Sequence, residues 1–351
     1  MEVAPNDPRA WMLHAAGFSS NQRPAEARAS LAKAVEVAPD YTPALAAAAQ
    51  NNTFVPRDLN AAERYAQRFL QLEPKEIRAL TLMGSVRTLQ GRFHDAIATY
   101  TTLATLDPSS TPLTLRAAPQ ALKGDSEGAL ADLDLAYARA DSNQVINLAE
   151  RLILVHALRG DLASAAKAAD RGYADARRVG GANAAPAISF IGGAHVSATS
   201  LLGNVAAAEE ALVSMRRALE NVPAPDTLMR PFLAGNIMLS EGTIAAARRD
   251  AAGARASGTK ILADTTMNAL AGHSLMAMAD MVEAKYDDAL GHFAKASQTD
   301  LVTMYRRGLA LQGAGRAAEA KPLFERVANE NVLSPATLLH APARQAAAAI
   351  R

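Results

Sequence analysis

Four prolines set the period of this chain. Pro5, Pro39, Pro74 and Pro108 stand 34, 35 and 34 residues apart, and each closes a phrase of similar chemistry: Glu2-Val-Ala-Pro5, Val35-Glu-Val-Ala-Pro39, Leu70-Gln-Leu-Glu-Pro74 and Leu103-Ala-Thr-Leu-Asp-Pro108. Self-similarity at such a period means that one short structural unit is used repeatedly. A unit of that size cannot bury its apolar side alone, so neighbours must stack and share a continuous core. The 351 residues therefore need not divide into the two or three globular domains that length alone suggests.

The interior of each unit is helical. Trp11 opens one helix and Phe18 closes it; Ala27, Leu31 and Ala34 stripe the next, which Pro39 stops. Leu80, Gly84, Gly91, Ala96, Tyr100 and Pro108 hold the matching places in the third unit, and Gly308, Gly315, Ala320, Phe324 and Val327 do so again near the C-terminus. Apolar or small residues three and four apart mark the buried side of a helix. Gly84 and Gly308 fall mid-helix, where glycine costs about 1 kcal/mol against alanine. That cost is tolerable where paired helices approach closely, with Ala27, Ala96 and Ala320 as small partners across the contact. Gly91, Gly160, Gly203, Gly242 and Gly315 follow apolar runs and read as caps at helix-to-helix turns. Proline then starts the next unit because it cannot continue the previous helix.

This constellation resembles the tetratricopeptide repeat (TPR) family. The resemblance implies an all-α fold, a right-handed α-solenoid of about nine antiparallel helix pairs. Spacing is less regular in the middle, where Gly124, Gly160, Gly203 and Gly242 lie 36, 43 and 39 apart. The next turn falls near Ala284, and Ala289, Phe293 and Ala296 stripe the helix after it. Five segments follow: residues 1–7, the tail of a repeat whose first helices lie upstream; 8–141, regular repeats; 142–300, longer and degenerate ones; 301–331, a regular repeat; and 332–351, a capping helix and tail. That last helix is expected over Arg344 to Ile350, after a loop through Pro335 and Pro342. The native protein is expected to extend before Met1. Long-helix repeats of this kind resemble the sensory and regulatory arrays of bacterial signalling proteins.

Composition narrows the function. A formal net charge of +1 gives no general attraction to nucleic acid or an anionic membrane. No cysteine is present, which excludes disulfides and thiolate chemistry; cytosol and periplasm both stay open, with the cytosol favoured. The most apolar stretch, Ala184 to Leu202, carries Ser189, Gly192, Gly193, His195, Ser197, Thr199 and Ser200, and reads as a buried helix rather than a membrane span.

Candidate chemical motifs have plainer explanations. His14, His94, His156, His195, His273, His292 and His340 are scattered over different units without a metal-binding or triad spacing, and His156 reads as a core or groove histidine. Gly313-Ala-Gly315 fails the glycine-rich nucleotide pattern and reads as a hairpin turn. Arg159-Gly160-Asp161 falls on a repeat turn. The pairs Arg177-Arg178, Arg216-Arg217, Arg248-Arg249 and Arg306-Arg307 could form a nucleic-acid ridge, but with balanced charge and few aromatics they read as a solvated face. Asp287-Asp288 and Glu209-Glu210 suit helix starts. No catalytic residue, cofactor or metal is assigned.

In TPR proteins the first helices of successive pairs line a concave groove that receives a peptide or helix. Projecting the repeat phase places Met12, Asn51, Thr81, Ser85, Phe190, Phe232, Asn236, Met278, Met281 and Tyr305 on that inner side. The chaperone-binding subfamily holds a C-terminal carboxylate with lysines and asparagines. Met12 and Ala16 stand at those places here, so that clamp is absent. The inner set is neutral and becomes rich in Met and Phe, which suits an apolar helical ligand; the alternative is that Phe190, Phe232, Met278 and Met281 are core between helices. The expected function is a scaffold or adaptor that binds a protein or peptide, not an enzyme. Two alternatives stand beside it: a regulatory segment of a larger signalling protein or enzyme whose catalytic domain lies elsewhere, and nucleic-acid binding through the arginines. Self-association through an exposed N-terminal repeat face is a further expectation.

Overall fold

The computed structural model describes residues 4–21, 23–53, 57–141, 144–180, 183–220 and 229–350. Glu2 and Val3, which open the first repeat phrase, lie outside them, as does the start of the 1–7 segment. Nineteen α-helices and a 3-10 turn make up the regular structure among the described residues, with no strand. The chain forms two compact units, 1–136 and 137–351.

The first unit holds α1 (Pro8–Ser20), α2 (Pro24–Val37), α3 (Thr42–Thr53), α4 (Leu59–Leu72), α5 (Ile77–Leu89), α6 (Phe93–Leu106) and α7 (Thr111–Lys123), and most of α8 (Ser126–Arg139). From α1 to α7 each helix packs on its successor, and α1, α3, α5 and α7 also touch in order, as the first helices of stacked pairs do. Asp7, Asp58 and Glu76 cap α1, α4 and α5 by accepting the backbone N–H of Arg9, Ala61 and Arg78, satisfying donors that a helix start leaves open. At the α5–α6 turn Gly91 takes φ +76°, the left-handed cap that costs glycine least.

The second unit continues the pattern through α9 (Val145–Leu158), α10 (Leu162–Val179), α11 (Ala184–Leu201), α12 (Val205–Glu220), α13 (Met229–Ala247), α14 (Ala251–Ala263), α15 (Ala269–Val282), α16 (Tyr286–Phe293), α17 (Leu301–Gly313) and α18 (Ala317–Ala328). Here α9, α11, α13, α15 and α17 follow one another as first helices, each touching the next. With α1 to α8 the described residues hold nine consecutive helix pairs, and within each unit the pairs stack as in an α-solenoid with TPR-like repeats. A 3-10 turn (Pro335–Leu339) and α19 (His340–Ala348) follow the last pair.

The close approach at Gly84 and Gly308 differs in its partner from the sequence expectation. A Cβ on Gly84 would come 2.4 Å from Tyr100 Cε1, and one on Gly308 2.6 Å from Phe324 Cε1. The missing side chain makes room for an aromatic ring of the second helix, not for an alanine. Both rings are almost wholly buried.

Three further expectations are corrected. Gly242 is no turn. It sits inside α13, where a Cβ would come 2.6 Å from Leu275 Cδ1, and the turn falls seven residues later on Arg249, at φ +63°. Ala284, by contrast, does occupy its turn, at φ +58°. The longer helices are α10 to α13, of 18, 18, 16 and 19 residues, whereas α14, α15 and α16 have 13, 14 and 8. Finally, Pro335 and Pro342 lie within first turns, where a missing N–H is harmless, so the last helix begins at His340 rather than Arg344.

Candidate functional site

The ten inner-side residues separate by environment. In the first unit Met12 packs on the cluster of Ala15, Ala27, Leu31 and Ala48. Asn51 is half-buried. Thr81 donates its hydroxyl to the Ile77 carbonyl at 2.8 Å, and Ser85 Oγ lies 3.2 Å from Tyr100 Oη. Thr81 and Ser85 are thus engaged within the α5–α6 pair.

In the second unit two aromatics stand out. Phe190 on α11 is 45 % exposed and Phe232 on α13 is 47 % exposed, although large apolar side chains are ordinarily covered. Their helices are neighbours, and Asn236 Nδ2 on α13 donates to Ser189 Oγ on α11 at 3.1 Å. Ser189 precedes Phe190 directly, and Asn236 is one turn beyond Phe232, so a single hydrogen bond fixes the register of both rings. Ser189 is itself 1 % exposed, so its hydroxyl needs that partner. Along α11 the accessible positions are Pro186, Phe190, Gly193 and Ser197, followed by Ser200 and Leu201 at its end; the first four are spaced four, three and four apart as one helical stripe. Leu270, at the start of α15, adds a third exposed apolar side chain, 47 % accessible.

The remaining three of the set lie inward. Met278 is 8 % exposed and belongs to the core cluster of Ile261 and Leu275, so it offers no surface to a partner. Met281 packs on Ala277, Ala289 and Phe293. The Tyr305 ring meets Phe324 edge-on, with centroids 5.5 Å apart, and burial pushes its phenol up from the ordinary range. Methionine's unbranched, polarisable chain fills irregular gaps between helices, which accounts for both Met positions.

Several charged groups are already paired within the chain. Arg178 bonds Asp175 at 3.0 Å, Arg216 bonds Glu241 and Arg248 bonds Glu209, and Arg307 donates to Gln298 at 3.0 Å. One member of each arginine doublet is thus occupied at home. A cleft of about 330 Å³ in the first unit is lined by Glu63, Gln67, Leu70, Gln71, Met83, Arg87 and Arg92. Its Glu63 accepts from Gln90 and then from Arg92, which together hold its carboxyl below the usual range.

Sequence reasoning missed a polar cluster on α14 to α16. His273 and His292 bring their Nδ1 atoms within 3.1 Å. His292 Nε2 lies 3.9 Å from Asp280 Oδ2, and Arg255 bonds both Asp280 and Glu283, at 2.9 and 2.8 Å. The two histidines are 19 residues apart, a separation that carries no helical or repeat signal of its own. Among the described residues no group of three or more His, Asp or Glu is placed to hold a metal ion, and no helix is long and apolar enough to cross a membrane.

No family model matches this chain, and no curated protein matches it. Among solved structures, a tetratricopeptide repeat protein from Parabacteroides merdae is similar at 13 % identity and TM-score 0.47, covering 87 % of this chain and 98 % of its own. PilW, described as a type IV pilus biogenesis factor, is similar at 13 % identity and TM-score 0.41, over 73 % of this chain and 93 % of its own. PilF of Pseudomonas aeruginosa is similar at 16 % identity and TM-score 0.41, over 61 % and 92 %.

Proposed function

We propose that this chain is a protein-interaction scaffold whose docking surface is the aromatic shelf of Phe190 and Phe232 on α11 and α13. The observation that carries the reading is the pair of half-exposed rings on adjacent first helices, held in register by the Asn236–Ser189 hydrogen bond. Stacked helix pairs present their first helices as a binding surface, and aromatics on a rigid support are the residues that most often anchor a protein contact. The ligand that fits is the apolar face of a partner helix or segment, laid across α11 and α13 in the helix-in-groove manner. Met278, being core, takes no part.

The test is a selection of amphipathic helical peptides on the intact protein, followed by affinity measurements on Phe190→Ala and Phe232→Ala. About half of each ring remains to be covered, so losing both removes roughly 2 kcal/mol of apolar contact. Binding should weaken by about tenfold to thirtyfold with the thermal transition unchanged. Peptides that bind the folded double variant as tightly as the wild type would refute this location.

A further inference from the structure

The 3-10 turn Pro335–Leu339 does something that ordinary stacking does not. It packs against α17, α18 and α19, which are near it in sequence, but also against α9 and α11 at the opposite end of the second unit's row of first helices. Leu339 lies in the cluster of Leu311, Phe324, Val327 and Ala343, and Leu201 on α11 packs against that same cluster. Burial on the helices it reaches agrees. On α9 four consecutive residues, Leu152 to Val155, are buried; at 3.6 residues per turn they sweep about 300° around the axis. The first helix of an open array keeps a free stripe. On α11 that stripe is open at Phe190, whereas Leu201, at the other end of the helix, is partly buried and packs against the cluster that holds Leu339.

The segment's own conformation is local. Ser334 N–H donates to Thr337 Oγ1 at 3.1 Å, Thr337 N–H donates to the Ser334 carbonyl at 2.9 Å, and Thr337 Oγ1 reaches the Val332 carbonyl at 3.2 Å. The first of these, with the bond from Thr337 N–H to the Ser334 side chain, forms a capping box around one short turn; the other two add to it. Beside it the fit is incomplete: His340 Nε2, next to Leu339, and Ser200 Oγ, next to Leu201, are buried without a hydrogen-bond partner. A well-matched core leaves few such atoms.

We infer that the surface formed by α9, α11 and α17 is a peptide-binding site, and that residues 332–339 of this chain are its resident, displaceable occupant. The partner it takes in trans is a short segment of the same chemistry: Ser-Pro at the entry, a threonine that closes the cap, and a leucine at the place of Leu339 that enters the apolar cluster. This inference is independent of the Phe190–Phe232 shelf, and none of its variants touches those rings.

The probe is a fluorescent synthetic peptide of residues 332–340, titrated into three full-length proteins: wild type, the double variant Ser334→Ala with Thr337→Val, and Leu339→Asp. Removing the capping box weakens the resident turn without placing charge in the core. A competitor that is bound less often leaves the site free more often, and loss of one cap corresponds to about a fivefold change in that occupancy. The expected result is saturable binding that tightens about fivefold from wild type to the double variant, and further in Leu339→Asp. Native-state hydrogen exchange supplies a readout on the unaltered protein. The Thr337 amide should exchange through an opening far more frequent than global unfolding, whereas amides in the middle of α9 should wait for the global event. Equal peptide binding by wild type and double variant, no saturable binding by either, or loss of helical structure in the double variant would each overturn the inference. So would a Thr337 amide that exchanges only with the core of α9.

Discussion

Gly308 lies against the ring of Phe324: a Cβ there would come within 2.6 Å of Cε1. Gly84 and Tyr100 stand in the same relationship at 2.4 Å. Each pair lets two helices of one repeat close over a buried aromatic. Alanine at either position gains about 1 kcal/mol of helix propensity but must displace a packed ring, a strain of about 1–3 kcal/mol. Gly84→Ala and Gly308→Ala are therefore expected to lower stability in urea titrations, by up to about 2 kcal/mol. Gly17 sits in α1 with nothing within 4 Å of its missing side chain, so Gly17→Ala is expected to raise stability. An unchanged or higher denaturation midpoint for Gly84→Ala would show that the ring moves aside freely.

The turns at Arg249 and Ala284 invite the opposite substitution. Both hold a positive φ, 63° and 58°, without being glycine, a conformation that costs about 1 kcal/mol for a residue with a Cβ. Arg249→Gly and Ala284→Gly should each raise the thermal midpoint. Destabilisation by Ala284→Gly would mean that the side chain makes a contact worth more than the strain.

The Arg116–Asp132 pair ties α7 to α8 with two bonds, Nε to Oδ2 at 2.7 Å and Nη2 to Oδ1 at 2.6 Å. Asp132 is 7 % exposed, so a lost partner cannot be replaced cheaply by water. Asp132→Ala is expected to cost about 2–3 kcal/mol, and a double-mutant cycle with Arg116→Met should return a clear coupling energy. The exposed Lys33–Glu36 pair, at 2.7 Å, should show none. Equal effects at the two sites would contradict the role given to burial.

Acid should weaken the second unit through its buried histidines. His195 and His340 are held below the ordinary histidine range by burial first; the charge of Asp170 partly offsets this at His195, and Arg344 adds to it at His340. His273 is lowered by burial and then by His292. A histidine that is harder to protonate in the fold takes up its proton in the unfolded chain first. Its contribution is complete above the unfolded value of about 6.5 and declines as pH falls from there through the depressed folded value. Urea midpoints should therefore drop between pH 7.5 and 5.5, and His195→Gln should flatten that drop. An identical pH slope in the variant would remove His195 from the effect.

What was legible in the sequence was whatever the repeat imposes many times over. The turns at Gly91 and Gly315, the close approaches at Gly84 and Gly308, and the number of helix pairs all follow from periodic spacing. Gly242 misled because a glycine inside a helix and a glycine ending one look alike when the surrounding run is apolar on both sides; only the packing of Leu275 separates them. Phe190 and Met278 were placed on the same surface because both fall on inner-side positions, yet one ring is open and the other side chain is enclosed by α14 and α15. That difference depends on helix lengths and rotations that vary through α10 to α16. The contact of the 3-10 turn with α9 joins positions nearly two hundred residues apart, and no local pattern encodes it.

That contact also fixes how many repeats the second unit can have. An array whose pairs touch only their neighbours tolerates the gain or loss of one pair, since every junction is equivalent. Here the last helices hold a turn that must also meet the first. Removing a pair would leave that turn overlapping α9, and adding one would leave it short. The second unit is therefore counted as well as stacked, and its five first helices form a set of defined size.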